Sequence, residues 1–291
     1  MYTVFDANHF GIQASLEEIV PLLRKHGLGG VHVPNTLLTD PAKGKEAAKL
    51  LRDNGLRWSL LPTPADFYAE DVTDEGFDMA LETLKSWADA GERMGVRYSY
   101  NHVWNGSNTR EYEENFEWLS VRIRRVWQVM HDFGIQYGLE FLGPVPLRNS
   151  FAYPFFHTLS GILALADSVD KSCGFVFDTY HWYTGSDQER GDLYLAAQHV
   201  NRMANFHVND GMPGRTREQQ QDLERGLPLE HGVIDAAAPY ALFQKAGYSG
   251  PVMCEPMRPL SANAAGRTLE EIVVLVAKAY QGLADAAKLQ V

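Results

Sequence analysis

Gly174-Phe175-Val176-Phe177-Asp178, followed by Thr179-Tyr180-His181, is the stretch on which the fold turns. It is short, rich in aromatic and β-branched residues, and apolar on both parities until it ends on a carboxylate. That pattern suits a strand covered on both faces, as in a parallel sheet packed between helices. Three more segments end the same way: Gln136-Tyr137-Gly138-Leu139-Glu140-Phe141, Met203-Ala204-Asn205-Phe206-His207-Val208 and Val252-Met253-Cys254-Glu255. Each carries an acid/base or metal-binding side chain at or near its C-terminal end.

Working outward, strands are expected at Tyr2–Phe5, Gly30–Val33, Trp58–Leu61, Tyr98–His102, Gln136–Phe141, Gly174–Asp178, Met203–Val208 and Val252–Glu255. Helices are expected at Leu16–His26, Ala42–Asn54, Asp74–Met94, Arg110–Phe133, Thr158–Ser168, Asp192–Asn201, Ala236–Ala246 and Thr268–Leu289. Glycines at 27, 55, 134 and 247 fall just past helix ends, where a left-handed cap is expected, and Thr73 stands where a helix N-cap belongs. No linker divides the eight alternations. An α/β protein of this kind reads as one (β/α)8 TIM barrel domain over residues 1–291 in preference to a doubly wound sheet or two smaller domains. The longest irregular stretches, Val103–Thr109, Leu142–His157, Trp182–Glu189 and Gly211–Val233, all follow strands, so the substrate pocket belongs at the strands' C-terminal face.

Composition narrows the function. The 291-residue chain has a formal net charge of −11, which opposes nucleic-acid binding. Arg122, Arg124 and Arg125 read as a solvated helix face. No apolar run is long enough to span a membrane, and the N-terminal residues look like a strand and not a signal peptide. Two distant cysteines, Cys173 and Cys254, give no disulfide framework and favour a reducing, cytoplasmic setting. Because side chains alternate along a strand, Cys254 faces away from any site that Glu255 enters.

The same alternation places Glu140, Asp178, His207 and Glu255 inward, while Leu139, Phe141, Phe175, Phe177, Phe206 and Val208 face the helices. Four consecutive strands then deliver three carboxylates and one imidazole to one mouth. Unpaired carboxylates there are costly; a divalent cation accounts for them. This donor set suits Mn²⁺, Mg²⁺ or Co²⁺ and tolerates Zn²⁺. Such an ion acidifies a C–H beside a carbonyl and stabilises the enediolate, and flanking carboxylates move the proton.

The βα repeat with Gly138-Leu139-Glu140, Asp178-Thr179-Tyr180-His181, His207-Val208-Asn209-Asp210 and Cys254-Glu255-Pro256 resembles the xylose-isomerase-like TIM-barrel superfamily. It is most similar to its sugar phosphate isomerase/epimerase group. The resemblance implies one divalent ion, Mn²⁺ by preference, held by Glu140, Asp178, His207 and Glu255. It makes Glu140 and Glu255 the acid/base pair and His181 a substrate contact. Two features depart from the ketose epimerases of that group: no second glutamate stands in Gly143–Arg148, and the usual Pro-Gly-Glu-Gly-like turn reads Pro228-Leu229-Glu230-His231-Gly232.

Further substrate contacts are expected from His102 and Trp104 after the fourth strand, Phe5 and His9 after the first, and Trp182 beside His181 as a stacking surface. Arg148 and Arg258 are candidates for an anionic group. His32 reads as a core histidine, His157 and His231 as structural, and Asp210 with Arg225 as a pair holding the long seventh loop. The expected function is isomerisation or epimerisation of a small sugar, keto-sugar or related polyhydroxy carbonyl compound, with a homo-oligomer compatible with the fold. A lyase or dehydratase on the same scaffold, inosose dehydratase-like or cleaving a C-glycoside, is the alternative; Tyr153, Phe155, Phe156 and Trp182 would receive an aromatic aglycone. A DNA-repair endonuclease and a non-catalytic carbohydrate-binding barrel are the remaining readings.

Overall fold

The computed structural model of the chain describes residues 1–260, 264 and 266–290. Eight parallel strands carry it: β1 (Tyr2–Phe5), β2 (Gly30–Val31), β3 (Arg57–Trp58), β4 (Tyr98–Val103), β5 (Gln136–Phe141), β6 (Gly174–Asp178), β7 (Met203–His207) and β8 (Pro251–Met253). Between and after them run α1 (Leu16–His26), α2 (Pro41–Asp53), α3 (Asp74–Met94), α4 (Tyr112–Asp132), α5 (Leu159–Val169), α6 (Arg190–Gln198), α7 (Ala237–Lys245) and α8 (Leu269–Lys288). In space the strands lie in the order β3-β2-β1-β8-β7-β6-β5-β4. The first strand therefore pairs with the last, and the two ends of the ladder, β3 and β4, must meet for the sheet to close. They meet at one bridge, Leu61 with Ser99. There the Leu61 N–H donates to Tyr98 O at 2.7 Å, and Ser99 Oγ donates to Leu61 O at 2.8 Å. The expected (β/α)8 barrel is the observed one.

Local chemistry explains the helix boundaries. Ser15 and Glu18 form a capping box at the start of α1, and Gly27 closes the helix at φ 74°, a conformation that glycine adopts without a Cβ penalty. The predicted caps hold elsewhere: Thr73 Oγ1 accepts from Gly76 N–H at 3.1 Å, and Gly55, Gly134 and Gly247 all have positive φ. On α8 the buried residues Ile272, Val273, Val276, Tyr280, Leu283 and Ala287 form one apolar stripe. With Leu139, Phe141, Phe175, Phe177, Phe206, Val208 and Cys254 they belong to the layer between sheet and helices. The strand parity expected from the sequence is thus observed. A small separate cluster, Val4, Leu60 and Met253 with Tyr2, Tyr98 and Tyr100 packed on it, fills the barrel axis.

Two of the differences from the expected boundaries fall at the site. The eighth strand was expected to run to Glu255 but ends at Met253. The next two N–H groups leave the ladder for side chains: Cys254 N–H donates to Tyr280 Oη at 2.7 Å and Glu255 N–H to Asn209 Oδ1 at 2.8 Å. The stretch after β6, expected to be irregular from Trp182, is a helix over Thr179–Ser186. Gly106–Ser107 and Tyr153–Pro154 form a short antiparallel pair that ties the loops after β4 and β5 together.

Candidate functional site

Asp178 ends β6 and caps the helix that follows, its Oδ1 accepting Tyr180 N–H at 2.7 Å. This turn aims its other oxygen across the barrel mouth. His207, its register partner on β7, points the same way. His207 Nδ1 lies 2.8 Å from Glu140 Oε1, 3.7 Å from Asp178 Oδ2 and 3.9 Å from Glu255 Oε2. The four residues from four strand ends therefore converge as expected. Asp178 and His207 are completely buried, and Glu140 is nearly so.

His181, one helical turn after Asp178, joins them: its Nε2 is 3.7 Å from Asp178 Oδ2. Its Nδ1 accepts the Gly143 N–H at 3.2 Å, which fixes the ring. A Cβ at Gly143 would collide with the His181 carbonyl, so only glycine lets the loop after β5 lie against this helix.

Two residues that the sequence did not place at the site complete the cluster. Arg225 was expected to pair with Asp210; instead it enters the site. Its Nη1 lies 3.0 Å from both Asp178 Oδ2 and Glu255 Oε2, while its Nη2 meets Asp222 at 3.1 Å. Tyr180 positions it: the guanidinium stacks 4.8 Å from the Tyr180 ring centre, and Tyr180 Oη donates to Gln221 O in the same loop. Asp210 holds the loop through backbone contacts, accepting N–H bonds from Gly211, His231, Gly232, Val233 and Ile234. The signal for Arg225 was its place inside the run Arg225-Gly226-Leu227-Pro228, all buried. Asn209 donates to both oxygens of Asp178 at 3.2 Å while accepting from Glu255 N–H, so one amide ties the two acids together.

The electrostatics follow. Burial opposes ionisation of Asp178, but His181, His207 and Arg225 outweigh it and hold the carboxyl well below the usual carboxylate range. Burial likewise resists the charge on Glu255, and His207, Arg225 and His9 overcome it. Burial pulls His207 down, yet Glu140, Glu255 and Asp178 push it well above an ordinary histidine. Without a metal, His207 thus carries the proton that three carboxylates demand. The donor set also fits a divalent cation. The ligand atoms of Asp178, His207 and Glu255 lie within 4.8 Å of one another, as do those of Glu140, Asp178 and His181. The far nitrogen of His207, Nε2, is buried with no hydrogen-bond partner. With neutral His207 and a dication, three carboxylates and Arg225 sum to zero formal charge.

The other predicted contacts divide. His102 and His9 line a cavity of about 430 Å³ beside the cluster, and Trp104 stands edge-on to His102 at 4.9 Å. Arg148 is half-buried, with Nη1 unpartnered. Arg258 is exposed. Two expectations fail. Phe5 is buried in the layer behind the sheet, stacked on Phe10. Trp182 is fully buried against Phe177 and donates to Glu189 O at 3.0 Å. The helix explains the latter: successive residues diverge by about 100°, so a site-facing His181 turns Trp182 into the core. Phe155 and Phe156 pack with Tyr112 and Phe116, which removes most of the proposed aromatic aglycone surface. His32, expected in the core, is partly exposed and faces the same cavity as His9.

Residues 20–276 match the model of the xylose isomerase-like TIM barrel family. The chain belongs to this family. Among solved structures it is similar to a xylose isomerase domain protein from Alicyclobacillus acidocaldarius, with 25% identity over 99% of both chains and a TM-score of 0.79. An IOLI protein with a bound zinc atom is 18% identical over 100% of this chain and 99% of the other, at a TM-score of 0.78. D-psicose 3-epimerase from Clostridium cellulolyticum H10, solved with D-tagatose, is 15% identical over 99% of both chains, at 0.72. The search of curated proteins gives no match. No helix among the described residues is long and apolar enough to cross a membrane.

Proposed function

We propose that this chain is a divalent-metal-dependent isomerase or epimerase of a small polyhydroxy carbonyl compound. The observation that carries the reading is the convergence of Glu140, Asp178, His207 and Glu255 on one buried point, with Arg225 bridging two of the acids. Asp178 and His207 are the fixed ligands, and Glu140 and Glu255 complete the set. A divalent cation there, Mn²⁺ first among the candidates, supplies Lewis acidity toward a carbonyl or hydroxyl oxygen.

The protein's own groups do the rest. Glu255 and Glu140 enter from the ends of different strands, β8 and β5, so a substrate carbon between them has a base on one side and an acid on the other. One, ionised, takes the proton from the carbon beside the carbonyl; the other, entering the step protonated, gives its proton to the enediol, and exchange with water resets the pair. Arg225 neutralises Glu255 and Asp178 and keeps Glu255 ionised, ready to accept a proton. The burial of Asp178, His181 and His207 keeps bulk water away from the reacting centre.

The lyase alternative shares the first proton abstraction; its C-glycoside-cleaving form has lost most of the aromatic surface that recommended it. The test is elemental analysis of the purified protein followed by a ketose and inosose screen with Mn²⁺. About one bound divalent ion per chain, with turnover abolished by chelation, is the expected result. No ion bound after Mn²⁺ addition refutes the reading, and release of water from the substrate moves it to the lyase.

A further inference from the structure

Across the mouth from the carboxylates, the ends of β1 to β4 enclose the cavity of about 430 Å³, within the ~300–1,000 Å³ range of small-molecule sites. Tyr100 joins it to the cluster: it lines the cavity and lies edge-on to His207 at 5.4 Å. Two carboxylate–imidazole pairs face into this space. Asp6 Oδ2 is 3.1 Å from His32 Nδ1, with His9 Nε2 at 3.9 Å. Asp66 Oδ2 is 3.4 Å from His102 Nε2 and accepts Trp104 Nε1–H at 2.9 Å.

The polar groups here are left open. Ser59 Oγ and His9 Nδ1 are buried atoms without a hydrogen-bond partner, and both residues line the cavity. Buried polar atoms ordinarily find partners, so two orphans around one space call for a ligand or ordered water. Asp6 and Asp66 are the carboxylates of the lining, and no lysine or arginine is among the described lining residues; His102, lowered by burial but raised more by Asp66, offsets one of the two. Such a wall repels phosphate and carboxylate. Hydroxyl groups suit it, because each both donates and accepts.

We infer that Ser59, His9, His102 and the Asp6–His32 and Asp66–His102 pairs form a subsite for the uncharged, hydroxyl-bearing tail of the substrate, one that rejects phosphorylated and acidic sugars. The subsite rests on the proposed function for where the reacting end lies, and it names the half of the substrate the cluster does not touch.

Calorimetry on the Mn²⁺-loaded protein tests it with four neutral ketohexoses (fructose, tagatose, psicose, sorbose), their 6-phosphates, and dihydroxyacetone as a three-carbon fragment that reaches the cluster alone. At least one ketohexose is expected to bind about tenfold or more tighter than its 6-phosphate. Ser59→Ala and His102→Gln should weaken that ketohexose about five- to tenfold, the scale of one lost buried hydrogen bond. Neither should change dihydroxyacetone or Mn²⁺ affinity. Asp66→Asn should narrow the gap between sugar and phosphate. Tighter binding of a 6-phosphate, equal weakening of dihydroxyacetone, or no ketohexose binding overturns the subsite. Ketohexose binding with no turnover would sink the isomerase reading and leave the subsite standing; turnover of a phosphate ester alone would do the reverse.

Discussion

The two halves of the barrel mouth differ in how their polar groups are partnered. On the β5–β8 side, buried acids are saturated: Asp178 is met by Tyr180 N–H, Asn209 and Arg225. Glu140 is met by His207, and Glu255 by Arg225. On the β1–β4 side, Ser59 and His9 keep unpartnered atoms around an open cavity. The strands differ too. β5 and β6 have six and five residues, whereas β2 and β3 have two each, and that side closes through the single Leu61–Ser99 bridge. A closed network fixes charged groups within fractions of an ångström, as proton transfer requires. An open one leaves hydrogen-bonding capacity for a ligand. On the proposed function, the closed half serves the chemistry and the open half serves recognition.

The largest effect should come from the chemical half. Glu255→Gln and Glu140→Gln each remove a proposed acid/base group, and activity is expected to fall about 10²–10⁴-fold while circular dichroism stays native. Turnover within threefold of wild type in either variant would break the division of labour.

Arg225→Met comes next. It leaves Asp178 and Glu255 buried without their shared cation, a loss on the order of 3–5 kcal/mol for a broken buried pair. Thermal melts of the chelated protein should show it, and Mn²⁺ should restore much of the deficit because a dication offsets the same charge. Equal destabilisation with and without Mn²⁺ would mean that Arg225 holds its loop and does not balance the acids.

How much of this was legible differs between the halves for a physical reason. Glu140, Asp178 and His207 sit on regular strands whose period of two assigns each side chain a face, so parity arguments reached them. Glu255 lies just past its strand but kept the direction that parity assigned. Arg225 and Asn209 lie on the connection after β7, where no period operates, and their partners are 47 and 31 residues distant. Trp182 was misplaced because a helix began where a loop was expected, and the period changed from 2 to 3.6 without a glycine or proline to announce it. Asp6, His32 and Asp66 come from three different loops, and nothing local marks them as neighbours.

Proton linkage should separate the halves as well. In the metal-free chain His207 has its pKa raised above the ordinary 6.5. Its contribution to stability is therefore full below that value and is lost as pH rises through the raised one. Asp178 and Glu255, depressed in the folded state, contribute above the ordinary carboxylate range and lose their contribution as pH falls. Mn²⁺ must displace the His207 proton, so its affinity should rise with pH, with about one proton released per ion near pH 7. Calorimetry in buffers of different ionisation enthalpy counts that proton. Zero release, or affinity that falls with pH, would show that His207 is not a ligand.

The smallest effect is the sharpest test of the contrast. Ser59 is buried to 1% exposure and its hydroxyl has no partner. Removing a polar atom that already lacks a hydrogen bond relieves a desolvation cost, so Ser59→Ala should change stability by less than about 0.5 kcal/mol or raise it. Asn209→Ala, of comparable burial, breaks bonds to Asp178 and Glu255 and should cost about 2–3 kcal/mol. Chemical denaturation measures both. If Ser59→Ala were as costly as Asn209→Ala, its hydroxyl would be serving the fold, and the open half would be as saturated as the closed one. If it is free, the serine is kept at no benefit to folding, and what it serves must come from outside the chain.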